Sequence, residues 1–308
     1  MVKGLKEADI MYEPVRNFIE RRGYKGFIDG NFETSRNVLK FKIHFPGSDK
    51  FYTPDVVGFK LIGDEVRTVA IECKMGRAET GLGQAIYYLP FFHEVIIVAP
   101  KGRQAIEEIN RRFNLGIGYA EFNLSKKRVV ENTVLEAQNR FFDINQFSDY
   151  VKPYALTSLS LRYIEEKLEK EVEVSKIQGS QQVFFKDGTA ILKIKYEGVS
   201  KELHFEVRWK RGNNYVHVGL HLEMDENTNN EIFKRLSNWR EVEKIGAKKS
   251  GKNKWLWLEK RIENVNLERP HERLGEVSKT LAYFINTLGE DLKLAYTDAT
   301  NKRFSDRI

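Results

Sequence analysis

The 308-residue chain has a single cysteine, so it can form neither an internal disulfide nor a Cys-based zinc site. Long apolar runs are missing as well. The longest candidate, Ala85–Pro90 with Val95–Pro100, is broken by His93 and Glu94, well short of the roughly 18 residues a membrane helix needs. Met1-Val2-Lys3-Gly4-Leu5-Lys6 carries no apolar stretch of signal length. The expectation is a soluble, cytoplasmic protein with no membrane partner. The sequence shows no internal repeat and no long low-complexity tract.

What is present excludes disorder. Hydrophobic residues make up 41% of the chain and aromatics 12%, enough for a sizeable core. At roughly 150 residues per domain, the length suggests two domains. Charged residues reach 31%, mixed in sign, with a net charge of +7. That modest excess suits a polyanionic partner without requiring one.

Hydrophobic periodicity predicts a helix over 7–22, with Ile10, Met11, Val15, Phe18 and Ile19 on one face and Gly23 as its stop. Strand patterns follow over 38–44, 55–62 and 66–74, the last two joined by the turn-like Gly63-Asp64-Glu65. Helices are expected at 79–89 and 101–113, around a buried strand at 95–99, and strands at 116–122 and 128–130 close the segment. This order predicts an α/β mixed β-sheet flanked by helices over residues 1–150. Residues 137–153 read as a connection, 158–171 as an amphipathic helix and Gln178–Gln182 as a polar break, so 151–182 is assigned as a helical linker. Residues 183–308 read as a second, smaller α+β domain: strands at 190–196, 202–210, 215–223 and 254–259, helices at 229–243 and 271–288.

The chemistry concentrates in the first hairpin. Thr53-Pro54-Asp55 begins one strand and Ile71-Glu72-Cys73-Lys74 ends the next. Alternate strand residues share a face, so Glu72 and Lys74 point together, and Asp55 can lie beside them. Two carboxylates with open positions suit Mg²⁺ or Mn²⁺, and an adjacent ammonium can neutralise charge developing on a phosphoryl group. An isolated Glu-x-Lys is common and alone reads as an ordinary exposed strand pair.

Pro54-Asp55 and Glu72-Cys73-Lys74, followed by Gln84 and Tyr88 on a helix, resemble the PD-(D/E)xK nuclease superfamily with its restriction-endonuclease-like fold. Gln84 with Tyr88 looks like the Gln-x-x-x-Tyr motif of RecB-like nucleases, and Glu13 matches an extra glutamate of archaeal Holliday-junction resolvases. The resemblance covers about residues 5–135. It implies Asp55 and Glu72 as metal ligands, with the Cys73 backbone carbonyl as a third. Lys74 would be the charge-stabilising group, Glu13 a further metal-linked acid, with Glu20 its competitor, and Gln84 a catalytic-site amide. Arg77 would meet a phosphate. The activity implied is that of a divalent-metal-dependent DNA endonuclease using Mg²⁺, with Mn²⁺ as substitute, in repair, recombination or restriction. RNA remains open as substrate, and double-strand cutting by one site per chain would favour a homodimer. The competing reading is a catalytically inactive nuclease-fold module that binds nucleic acid or a protein.

The second half resembles no family. Its basic residues Arg208, Lys210 and Arg211 at a hairpin end, and Lys248, Lys249, Lys252 and Lys254 in a loop before Trp255 and Trp257, interleave cations with aromatics as nucleic-acid contacts do. His217, Gly219, His221 and Glu223 share a strand face but read as ordinary sheet residues, since no third ligand has clear spacing.

Overall fold

The structure, a computed structural model, describes residues 7–31, 33, 35–40, 42–44, 51–252, 254–269 and 272–305. The chain is mixed α/β and divides into two compact units, Met1–Gly30 with Leu39–Leu159 and Asn31–Val38 with Ser160–Ile308.

The first unit opens with a π-helical turn, Ala8–Tyr12, that runs into α1 (Glu13–Arg21). Val15, Phe18 and Ile19 form the buried stripe of α1, and Gly23 at φ 82° turns the chain out of it. Strands β1 (Lys25–Ile28), β2 (Val38–Lys40), β3 (Ile43–His44), β4 (Phe51–Tyr52), β5 (Val56–Ile62) and β6 (Glu65–Cys73) follow. Then come α2 (Leu82–Tyr88), β7 (Glu94–Ala99), α3 (Arg103–Phe113), β8 (Gly118–Asn123), β9 (Arg128–Leu135), α4 (Ile144–Tyr150) and α5 (Lys152–Leu168). The stretch 137–153, expected as a bare connection, thus holds α4, started by the Asp143 side chain accepting from the N–H groups of Asn145 and Gln146.

In this unit β1, β5, β6, β7, β8 and β9 lie side by side in that order. The β6–β7 and β7–β8 pairs are parallel, and the pairs outside them antiparallel. Parallel central strands are covered on both faces, which is why β7 reads Val-Ile-Ile-Val-Ala without alternation and every residue from Val95 to Ala99 is buried.

The second unit is a meander: β10 (Ile177–Phe184), β11 (Thr189–Tyr196), β12 (Leu203–Lys210) and β13 (Tyr215–Leu222) pair antiparallel in sequence. After α6 (Glu226–Arg235) and α7 (Trp239–Lys244), β14 (Lys248–Lys252) and β15 (Trp255–Glu263) extend the sheet, β15 pairing with β13, and α8 (Leu274–Ser305) ends the described chain. Leu192, Phe205, Val207, Val218 and Leu220 share one core cluster with Leu161, Ile164, Leu281, Phe284 and Leu288 of α5 and α8. The opposite face carries the alternate, polar residues.

Several expectations change here. Gln178–Gln182 is no break but the body of β10, with Ser180, Gln181 and Gln182 buried, Gln178 exposed, and Ser180 Oγ accepting from the Asn37 N–H at 2.9 Å. Lys248–Lys252, expected within a loop, is strand β14, which pairs with β15 so that Lys252 stands opposite Trp255; Lys254 is a turn residue. The helix expected over 229–243 breaks at Leu236, and Asp291 accepts from the Asn238 N–H at 2.9 Å before α7 begins.

Candidate active site

A two-residue turn, Gly63-Asp64, joins β5 to β6; Ile62 stands opposite Glu65, and Gly63 adopts φ 61°. The same register sets Val56 opposite Ile71, so Asp55 and Glu72 are neighbours where β5 begins and β6 ends. This is the carboxyl end of a parallel strand, the edge of α/β sheets that usually carries a site.

Both carboxylates are anchored. Asp55 Oδ2 accepts from the Cys73 N–H at 2.7 Å, and its Oδ1 accepts from the Tyr12 hydroxyl. Glu72 Oε1 pairs with Lys74 Nζ, as the alternation of β6 requires. Glu72 Oε2 lies 3.3 Å from the Tyr88 hydroxyl, which also reaches the Thr53 carbonyl at 3.1 Å. A third acid joins from the front of the chain: Glu7 Oε1 accepts from the Met75 N–H at 2.8 Å, and its Oε2 lies 3.9 Å from Lys74 Nζ. Glu7 and Glu72 thus both reach the Lys74 ammonium, with Asp55 beside Glu72.

Glu72 has no exposed surface. Burial first, and the neighbouring Asp55 second, push its carboxyl up to about 7 despite the Lys74 pair. Burial likewise raises Asp55, against the hydrogen bonds from Tyr12 and Cys73. Burial works most strongly against the Lys74 ammonium, but the hydrogen bond to Glu72 and the charges of Glu72, Asp55 and Glu7 together outweigh it and hold the amine above its ordinary range. The phenols of Tyr12 and Tyr88 are pushed up, mainly by burial and then by Asp55 and Glu72, so both stay hydrogen-bond donors. A buried and a partly buried carboxylate with a single balancing charge form a pocket short of positive charge. Oxygen donors in that state fit a hard divalent cation, which would relieve a repulsion the protein otherwise carries.

The wall opposite is Gly81, at the start of α2. A methyl group there would come within 3.1 Å of Glu72 Cγ and 3.3 Å of Lys74 Cε, so the backbone approaches this closely only without a side chain. Gln84 stands one turn before Tyr88 on the same helical face, half-buried.

The other predicted residues are placed as follows. The Cys73 thiol is fully buried, and its backbone N–H is the group that engages Asp55. Glu13 pairs with Arg16 at 2.7 Å, and Glu20 lies 3.5 Å from the same arginine, so neither joins the cluster. Arg77 is largely exposed and pairs with Glu79 at 2.7 Å. Of the basic set in the second unit, Arg208 pairs with Glu259 at 2.5 Å, Lys210 with Asp187 at 3.5 Å and Arg211 with Glu268 at 2.9 Å. Lys248 is exposed, Lys249 sits over the Phe233 ring, Lys254 sits over Trp255, and the Lys252 side chain lies outside the described residues. Three of these cations, Arg208, Lys210 and Arg211, are thus paired with carboxylates.

Reading residues by composition missed Glu7 and Tyr12. The signal was hidden by the π turn, whose i→i+5 hydrogen bonding brings residues five apart to one side, whereas ordinary helical spacing points 7 and 12 in different directions. Comparisons with protein-family models, with curated proteins and with solved structures find no match.

Proposed function

We propose that the first unit is a divalent-metal-dependent endonuclease that hydrolyses DNA phosphodiester bonds on a restriction-endonuclease-like sheet. The observation that supports this reading is the convergence of Asp55, Glu72 and Lys74 at one strand end, with Glu72 buried, Asp55 partly buried, and both carboxyls raised. Asp55 and Glu72 would hold Mg²⁺, with Mn²⁺ as substitute and the Cys73 carbonyl as a neighbouring oxygen donor. Bound there, the ion supplies a Lewis acid for a phosphoryl oxygen and lowers the pKa of a coordinated water.

The chain's own residues carry the rest. Tyr12 and the Cys73 N–H fix the Asp55 carboxylate from both sides, and Tyr88 does the same for Glu72. Fixed donors lose little freedom when a substrate arrives, which is how preorganised sites lower a barrier. Lys74, kept charged by Glu72, supplies positive charge as it accumulates on the phosphorane oxygens. Glu7 keeps the Met75 backbone and Lys74 together at the rim.

The test is digestion of plasmid, linear duplex and RNA with Mg²⁺, with Mn²⁺ and with EDTA. Metal-dependent scission of DNA is expected, lost in Asp55→Ala, Glu72→Ala and Lys74→Ala proteins that remain folded by circular dichroism. Undiminished cutting by Asp55→Ala protein refutes the site, and binding without cutting of any substrate refutes the activity.

A further inference from the structure

The polar face of the second unit's sheet holds a cluster that the nuclease reading does not use. His204 on β12 stands directly opposite His221 on β13. Glu206 lies two residues beyond His204 and Glu223 two beyond His221, so all four side chains start on one face. Donor atoms of His204, His221 and Glu223 lie within 4.8 Å of one another. Glu206 Oε2 lies 3.3 Å from His204 Nε2 and 3.4 Å from His221 Nδ1, and His221 Nδ1 lies 3.6 Å from Glu223 Oε1.

These separations have a chemical meaning. Around a tetrahedral ion with bonds of about 2.0–2.1 Å, ligand atoms sit about 3.3–3.4 Å apart. Three of the cluster's donor pairs, at 3.3, 3.4 and 3.6 Å, are therefore close to the edges of a four-coordinate site. Its protons point the same way. A neutral imidazole has one N–H, and the Lys201 carbonyl, which only accepts, lies 3.2 Å from His204 Nδ1. The His204 Nε2 meets Glu206 Oε2 at 3.3 Å, so the ring faces two acceptors with one N–H, and a cation between Nε2 and Glu206 would leave that N–H for the Lys201 carbonyl. His221, only 3% exposed, has no hydrogen-bond partner for either ring nitrogen.

The surroundings hold the donors in place. The Trp257 indole donates to Glu206 Oε1 at 3.1 Å, leaving Oε2 for the histidines. The His221 ring stacks on Trp257 at 4.4 Å and 14°. Lys193 Nζ lies 3.3 Å from Glu223 Oε2 and 3.5 Å from Oε1, holding that carboxylate beside His221. The Lys201 carbonyl behind His204 and the indole behind Glu206 are the kind of outer partners that orient metal ligands.

We infer that His204, His221, Glu206 and Glu223 bind one zinc-class divalent transition ion in a closed, structural four-coordinate site. Two imidazoles and two carboxylates favour that class over Mg²⁺ or Ca²⁺, which prefer oxygen alone. The site is separate in residues and chemistry from the carboxylate pocket of the first unit.

Full-length protein stripped with EDTA and titrated with CoCl₂ tests this, because four-coordinate cobalt absorbs visible light far more strongly than six-coordinate cobalt. One strongly absorbing cobalt per chain is expected, displaced by zinc. His221→Asn and Glu223→Gln should weaken uptake by about tenfold or more, whereas Asp55→Asn should leave the absorption unchanged. Glu223 is partly exposed, so its isosteric replacement leaves the fold intact if the histidine variant does not fold. Folded wild-type protein without the strong bands overturns the inference. So does unchanged affinity in Glu223→Gln protein, or loss of the bands in Asp55→Asn protein.

Discussion

Glu72 should make the metal-free protein less stable as pH rises. Its carboxyl stands at about 7 in the fold against 4.5 in a free chain. An acid with a raised folded pKa costs nothing below the unfolded value, where both states are protonated. The penalty grows as pH climbs from 4.5, because the folded state then holds a proton the unfolded state has released, and it is complete above about 7. The shift corresponds to roughly 3 kcal/mol at full extent, at about 1.4 kcal/mol per pKa unit. Asp55 is raised in the same pocket and adds in the same sense. Thermal or urea unfolding in EDTA, of wild type and of Glu72→Gln, isolates the effect as a difference. The two should be close near pH 4.5, with the glutamine variant gaining by roughly 3 kcal/mol by pH 8. Mg²⁺ or Mn²⁺ at pH 8 should restore the wild type and leave the variant almost unmoved. A difference that stays constant from pH 4.5 to 8 would refute the account of a pocket short of positive charge.

Lys74→Met removes the one balancing charge and leaves the buried Glu72 carboxylate uncompensated, a change of about 3–5 kcal/mol in a buried pair. Urea unfolding at pH 8 in EDTA should show the loss, and Mn²⁺ should recover part of it without restoring cleavage. Tyr12→Phe keeps the ring but removes the donor to Asp55; the metal concentration for half-maximal cleavage should rise about tenfold to a hundredfold. Glu7→Gln should lower cleavage while Glu13→Gln, which loses only the Arg16 pair, should not, as initial rates on plasmid DNA will show. Gly81→Ala forces a methyl against Glu72 and Lys74; overpacking of this kind costs about 1–3 kcal/mol, and both the unfolding midpoint and the cleavage rate should fall.

Much of the first unit could be read directly. The alternation of β6 put Glu72 beside Lys74, and a turn of minimal length paired β5 with β6, so the core of the pocket followed from period and register alone. What stayed hidden was set by contacts far apart in the chain. Arg36 donates to the Val174 and Ile177 carbonyls at 2.6 and 2.8 Å, drawing 31–38 into the second unit although the segment sits among strands of the first. Gln178–Gln182 looked like a linker because polar residues seldom fill a strand unless partners elsewhere satisfy them. The lysines of β14 looked like a loop, yet charge is what an exposed strand at a sheet margin often carries. His204 was passed over because the histidine it meets is 17 residues away, on the neighbouring strand.

The widened turn at Ala8–Tyr12 holds one residue more than an ordinary helical turn would need. Were the same five residues wound as ordinary α-helix, Glu7 would stand about 140° away from Tyr12. Glu7 would then leave the rim, and the Met75 amide would lose its acceptor. Deleting one residue between them would instead leave an i, i+4 pair on one side, so the third acid of the cleft depends on matching the number of residues to the width of the turn.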